Sequence, residues 1–114
     1  MNKPSAALLF ILPVAATIVA LPAHAQDATT LSIALKDHRF IPGEISAPAN
    51  KPVTIVVNNQ DTTPSEFESK TLRVEKVVAG GAKISVQIRA LAPVRYRFFD
   101  DYHEDTTEGF LVVK

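Results

Sequence analysis

The chain has 114 residues, with 12 basic and 12 acidic side chains and no cysteine. That suffices for one small domain and is too short for a multidomain enzyme or a doubly wound nucleotide-binding fold. Balanced charge offers no basic stripe for nucleic acid. The absence of thiols excludes disulfides, thiolate zinc sites, iron–sulfur clusters and a thiolate copper site.

Met1-Asn2-Lys3 makes a short positive start. Ala6 to Leu21 is almost wholly apolar, interrupted by Pro13 and Thr17, and Ala23-His24-Ala25 follows with small residues where a signal peptidase cuts. This is the pattern of a secretory signal peptide over residues 1–25. The apolar run falls short of the ~20 residues of a membrane span, so an uncleaved anchor is the weaker reading. The expected mature protein begins at Gln26, is exported to a bacterial periplasm, and keeps only two histidines, His38 and His103. Met1 is the only methionine, so no thioether ligand remains.

Residues 26–30 read as a loose N-terminal tail, and residues 31–114 as one domain. Leu31, Ile33 and Leu35 alternate with Ser32, Ala34 and Lys36. Val53, Ile55 and Val57 repeat the pattern, as do Ile84, Val86 and Ile88, then Tyr96 and Phe98. Phe110 and Val112 alternate with Leu111 and Val113, and Leu72–Val78 is a further candidate strand. Period two marks half-buried strands. Turn residues separate the runs at Pro42-Gly43, Ala49 to Pro52, Asn58 to Asp61 and Gly80-Gly81. After Gln26 no helical face of useful length appears, and Ser69–Glu75 holds a turn at most. Several short strands between turn signals predict an all-β fold, a small Greek-key sandwich or barrel.

Function must then come from the polar loops. Asp100-Asp101-Tyr102-His103-Glu104-Asp105 sets four carboxylates, a phenol and an imidazole between two core strands. At ~4 Å and an effective dielectric near 20, each like-charged pair costs about 4 kcal/mol. Splaying into water relieves most of this, which is the reading as a solvated acidic hairpin. A bound divalent cation relieves it too and accounts for the crowding. Carboxylates with one imidazole suit Fe²⁺, Mn²⁺ or Fe³⁺ better than Cu(I). The spacing matches neither an EF-hand loop nor an H-E-x-x-H helix.

The second patch is Pro64-Ser65-Glu66-Phe67-Glu68-Ser69. Phe67 reads as a core anchor, which leaves Glu66 and Glu68 on the opposite face, within reach of the acidic loop or simply exposed. His38, between Asp37 and Arg39, reads as a surface or turn residue. Arg89, Arg95 and Arg97 fall on outward strand faces.

Tyr96-Arg97-Phe98-Phe99-Asp100, His103 and Gly109-Phe110-Leu111-Val112-Val113 resemble a cupredoxin ending: Y-x-F-x-C, then H, then M-x-G and a last strand. Phe40 to Ile45, Lys51 to Ile55 and Asn58-Asn59 resemble its opening strands, and Pro64-Ser65-Glu66-Phe67 lies where copper-binding members carry Pro-x-His-x. The resemblance spans residues 31–114 and implies a cupredoxin-like fold. It departs at the metal: the cysteine position is Asp100, the first histidine position is matched to Glu66, and the methionine position falls near Thr107. A type 1 blue copper site is therefore not expected.

Ser65 to Ser69 and Phe98 to Asp105 more closely resemble the cupredoxin-like periplasmic component of bacterial ferrous-iron transport systems. That resemblance implies iron (Fe²⁺/Fe³⁺) as the metal, with Mn²⁺ or Cu²⁺ as substitutes, and suggests oxidation of Fe²⁺ before transport. It also implies three partners: an inner-membrane iron permease, a second periplasmic metal-binding protein and a membrane iron–sulfur electron-transfer protein. On this reading Glu66, Asp100, Asp101 and His103 form the primary ligand set, with Tyr102, Glu68, Glu104 and Asp105 in reserve. The competing readings are a metal-free interaction sandwich and a periplasmic Cu(II) binder. No activated serine or cysteine nucleophile supports hydrolase chemistry.

Overall fold

The computed structural model describes residues 2–7, 9–18 and 29–114. The expected cleavage segment Ala23-His24-Ala25 and residues 26–28 of the expected tail lie outside the described residues. Residues 2–7 and 9–18 contain no helix or strand, and no helix among the described residues is long and apolar enough to cross a membrane.

Nine strands follow in chain order: β1 (Thr29–Lys36), β2 (Arg39–Ile41), β3 (Glu44–Ala47), β4 (Val53–Asn59), β5 (Ser65–Ser69), β6 (Val74–Val78), β7 (Lys83–Ile88), β8 (Arg95–Asp100) and β9 (Glu108–Val113). One 3-10 turn, Asp101–His103, interrupts the path from β8 to β9. The strands form two sheets, in the orders β2-β1-β4-β7 and β3-β9-β8-β5-β6. The chain passes repeatedly between them. β1 and β4 pair in parallel in the first sheet, and β3 and β9 do so in the second.

The period-two residues line the space between the sheets. Ile33, Leu35, Val53, Ile55, Val57, Val86 and Ile88 of the first sheet meet Phe67, Val78, Tyr96, Phe98, Leu111 and Val113 of the second. Phe40, Phe67 and Phe98 cluster at one end, with ring centroids 5.0–6.1 Å apart and mostly edge-on or tilted contacts. This cluster floors the polar end, because Phe67 pairs directly with Asp100.

Three details depart from the sequence reading. Thr29 and Thr30, placed in the loose tail, begin β1 and pair with Val53 and Thr54. The Leu72–Val78 candidate becomes a strand only at Val74, because Arg73 takes a positive φ of 56° in the preceding turn, although Leu72 is itself buried. In β9 all four apolar residues fit period two in either register. Leu111 and Val113 face the core, and Gly109 decides the register: a Cβ there would lie 2.4 Å from the Phe98 ring.

Candidate functional site

At the polar end, side chains from three distant segments converge on the inner side of the second sheet. The turn between β1 and β2 has Asp37 and His38 both at positive φ, 51° and 56°, the pattern of a two-residue hairpin turn whose twist matches its strands. The Asp61 carboxylate locks it, accepting the Asp37 amide at 2.7 Å and the His38 amide at 3.0 Å. Those amides hold the Asp61 carboxyl below the usual aspartate range against the opposing effect of burial. Asp61 is placed by Asn59, which is fully buried. Its Oδ1 accepts the Asp61 amide at 3.0 Å, while its Nδ2 donates to the Thr63 carbonyl at 2.8 Å and faces those of Val78 and Ala79 at 3.3 Å.

Asp100 ends β8 facing inward and is wholly buried. Its Oδ1 accepts the amides of Glu66 at 2.9 Å and Tyr102 at 3.1 Å, and its Oδ2 meets His103 Nδ1 at 3.0 Å. Burial pushes this carboxyl up, but the Glu66 amide, the His103 ring, the Ser65 hydroxyl and the Tyr102 amide together pull it further down, so the net direction is down. His103 lies tilted over His38, with ring centroids 4.2 Å apart. The Thr107 hydroxyl donates to the His38 carbonyl and so ties the β8–β9 connection to the hairpin turn.

The other side of β5 is different. Glu66, Glu68 and Asp101 each offer a carboxylate oxygen, and these oxygens lie within 4.8 Å of one another. Glu75 of β6 stands directly opposite Glu68. Burial first, and then the neighbouring carboxylates Glu75 and Asp101, raise Glu66 above the usual glutamate range. Glu68 is raised by burial and then by Asp101 and Glu75. The Tyr102 phenol is raised by burial and by the Glu66 charge. Four carboxylates and a phenol therefore share one face.

The expected ligand set Glu66, Asp100, Asp101 and His103 thus falls on two sides. Glu66 and Asp101 join Glu68 and Tyr102 outside; Asp100 and His103 pair inside. Asp100 spends both oxygens on protein donors and acts as a support for His103. Glu104 is drawn to Arg97 at 3.6 Å, and Arg97 donates to Glu108 at 2.7 Å. Asp105 is exposed and lies outside the carboxylate cluster. The inward residue of β5 beside Asp100 is Ser65, not Glu66, because strand alternation places Ser65 and Phe67 on the same face. Its Oγ is buried beside the Asp100 carboxylate and helps to hold that carboxyl down.

Sequence reasoning also missed Asp61, Asn59 and Glu75, and it placed His38 in a turn, where it lies, without its contact with His103. The signal for Ser65 was present: once Phe67 is inside, its neighbour two residues back is inside too. For His38 no local signal existed, since its partner His103 is distant in sequence and meets it only through sheet packing.

The arrangement does not fit a thiolate copper centre. Its inner positions carry Ser65, Asp100, His103 and Thr107, and the chain has no cysteine. Oxygen and imidazole donors remain.

Comparison with known proteins agrees with this architecture. Residues 8–113 match the family model of the cupredoxin-like domain. An uncharacterized protein of Rickettsia prowazekii (strain Madrid E) is 36% identical over 83 residues; the match covers 73% of this chain and 66%, just under two-thirds, of that protein's length. Among solved structures, auracyanin A, a "blue" copper protein from Chloroflexus aurantiacus, superposes with a TM-score of 0.65 at 16% identity, covering 76% of this chain and 99% of that one. The metal-binding domain of a Cu(I)-exporting P-type ATPase from Streptococcus pneumoniae D39 gives 0.64 at 11%, covering 75% and 84%. At these identities the structural likeness establishes the fold alone. The family match covers nearly the whole sequence, and this chain belongs to the cupredoxin-like domain family.

Proposed function

We propose that this protein is an exported metal-binding subunit that takes up Fe²⁺ in the periplasm through the carboxylate face of its second sheet. One observation carries the reading: the oxygens of Glu66, Glu68 and Asp101 converge within 4.8 Å. Like charges held this close repel one another, and a cation that replaces the repulsion with attraction gains most there. An all-oxygen set favours hard ions such as Fe²⁺, Mn²⁺ and Fe³⁺. Glu75 and the Tyr102 phenol stand beside the set. Binding would displace any proton the crowded glutamates retain, so affinity would rise with pH.

The same anionic set favours Fe³⁺ over Fe²⁺. The reading therefore extends to oxidation of bound Fe²⁺, one electron passing to dioxygen, before delivery to an inner-membrane iron permease. The second periplasmic metal-binding protein and the membrane iron–sulfur protein would complete that assembly. The leader pattern and the likeness of Ser65 to Ser69 and Phe98 to Asp105 to ferrous-iron transport components support this placement.

The test is thermal unfolding with and without Mn²⁺, an air-stable stand-in for Fe²⁺. A ligand at 100 times its dissociation constant stabilises by about 2.7 kcal/mol, and each kcal/mol moves the midpoint by roughly 4–8 °C at this size. The wild type should shift, and a Glu66→Gln/Glu68→Gln/Asp101→Asn variant should not. A wild type indifferent to millimolar Mn²⁺ sinks the proposal. For oxidation, Fe²⁺ loss in air should be faster with wild type than with the triple variant; equal rates would remove that step and leave binding standing.

A further inference from the structure

We infer that the end of the sandwich opposite Asp100 docks on an anionic lipid surface. Four segments meet there: residues 47–53 from β3 to β4, 70–73 from β5 to β6, 88–95 from β7 to β8, and 112–114. They hold six basic side chains, Lys51, Lys70, Arg73, Arg89, Arg95 and Lys114, and no aspartate or glutamate. Apart from Asp27, which lies outside the described residues, the acidic side chains belong to the remaining strands and to the opposite end. Glu44 answers Arg95 at 3.2 Å, and the other five cations make no ion pair among the described residues. Apolar side chains stand among them. Ala90, Ala92, Pro93 and Val94 are exposed, Val94 by 53%, while Leu91 is buried.

Hydrogen bonds join these loops into one surface. The Asn50 amide donates to the Leu91 carbonyl at 2.9 Å, the Ala49 amide to the Lys114 carbonyl at 3.2 Å, and the Val113 amide to the Val94 carbonyl at 3.0 Å. The Tyr96 hydroxyl donates to the Ala92 carbonyl at 3.0 Å. The Arg89 guanidinium donates to the carbonyls of Leu72 and Thr71 at 3.1 and 3.2 Å, which draws the 70–73 turn alongside. Little ordering remains to be done on contact.

Cations set around small apolar tips match an anionic bilayer interface. The headgroups attract the charges, and the apolar tips enter the headgroup layer. The four segments contain no aromatic residue, the type that most often anchors a protein interface, so lipid fits better than a protein partner. The path of the chain agrees. β1 begins at Thr29 opposite Val53, at this same end. The apolar residues that precede it, Leu9 to Leu12, Val14 and Ile18, are 81–92% exposed. The chain's apolar segment therefore joins the domain on the side that meets lipid. The acidic end is repelled by the same surface and turns away from it, so docking leaves Glu66, Glu68 and Asp101 open to solution.

The test uses the chain from Gln26 onward. It keeps every strand and every buried core residue and lacks the apolar segment that would enter lipid by itself. The protein is sedimented at low salt with vesicles of phosphatidylcholine alone, and with vesicles in which phosphatidylglycerol replaces a third of it. Each cation near an anionic surface strengthens binding about fivefold, so the anionic vesicles should bind at least roughly tenfold more tightly than the neutral ones. Molar salt, which shortens the Debye length to about 3 Å, should abolish the difference. Lys51→Gln/Lys70→Gln/Arg73→Asn should weaken binding by roughly tenfold or more; asparagine tolerates the positive φ at position 73. Lys36→Gln/Arg39→Gln/Lys83→Gln removes the same charge from the other end and should bind as wild type does. Circular dichroism verifies that both variants remain folded. Since the sequence has no cysteine, a polarity-sensitive dye on Val94→Cys or on Asp105→Cys reports which end meets lipid. Its emission should shift to the blue on anionic vesicles at position 94 and stay unchanged at position 105. Absent binding, equal binding to both vesicles, equal loss in the two triple variants, or a shift at position 105 overturns the inference.

Discussion

The two sides of β5 make opposite use of the same side chains. On the inner side, Asp100 and Asp61 are answered by backbone amides, and their pKa values lie low. On the outer side, Glu66 and Glu68 face Asp101 and Glu75, and their pKa values lie high. Neighbours in sequence, Asp100 and Asp101, fall one on each side. The contrast shows that a carboxylate's role follows from its donors rather than from its residue type. The inner carboxylates hold structure in place. The outer ones retain charge that the protein leaves unanswered, and there an added cation gains most.

The largest effect should come from breaking the inner side. Asp100→Ala strands the amides of Glu66 and Tyr102 and the His103 ring, and should cost about 3 kcal/mol. Its melting midpoint should fall by roughly 4–8 °C per kcal/mol. A smaller loss would mean that water replaces the carboxylate. Asn59→Ala leaves buried carbonyls unpartnered and frees Asp61. Calorimetry should show a loss of about 2 kcal/mol, together with faster hydrogen exchange at the Asp37 and His38 amides.

The outer side should respond in the opposite direction. Without metal, Glu66→Gln/Glu68→Gln/Asp101→Asn should melt slightly above wild type at neutral pH, because like charges are removed. A lower midpoint would show that these carboxylates support the fold.

The pH profile separates the sides by sign. Asp100 and Asp61 are held below the ordinary aspartate value of about 3.9. Their contribution is complete above that value and is lost as pH falls through their folded pKa values. Glu66 and Glu68 are held above the ordinary glutamate value of about 4.3. Their contribution is present below that value and is lost as pH rises through their raised pKa values. Melting midpoints scanned from acid to neutral in chelator-treated buffer should therefore rise and then decline. Asp100→Asn should flatten the acid limb, and Glu66→Gln/Glu68→Gln should flatten the decline.

The smallest effect belongs to Arg97, whose ion pairs with Glu104 and Glu108 are substantially exposed. Arg97→Ala should cost under about 1 kcal/mol in the same melting assay, apart from lost packing of the guanidinium over Phe99. Mn²⁺ affinity should stay unchanged, since Arg97 has no part in the carboxylate set.

Much of the architecture was legible in the chain. Alternation at Leu31–Leu35, Val53–Val57 and Ile84–Ile88 needs only neighbouring residues to be read, because a strand repeats every two positions. The lack of cysteine excluded a thiolate centre outright, and Phe67 already assigned Glu66 and Glu68 to the outer face. What only the tertiary structure decided is which polar residues meet. Asp100 and Glu66 are 34 positions apart, and the Thr107 hydroxyl reaches His38 across 69. Such contacts depend on sheet order and strand register, and no local pattern encodes them. The acidic loop was therefore visible as a concentration of charge, while its division between a neutralised inner corner and a charged outer face arose from where β8 ends and the 3-10 turn reverses the chain.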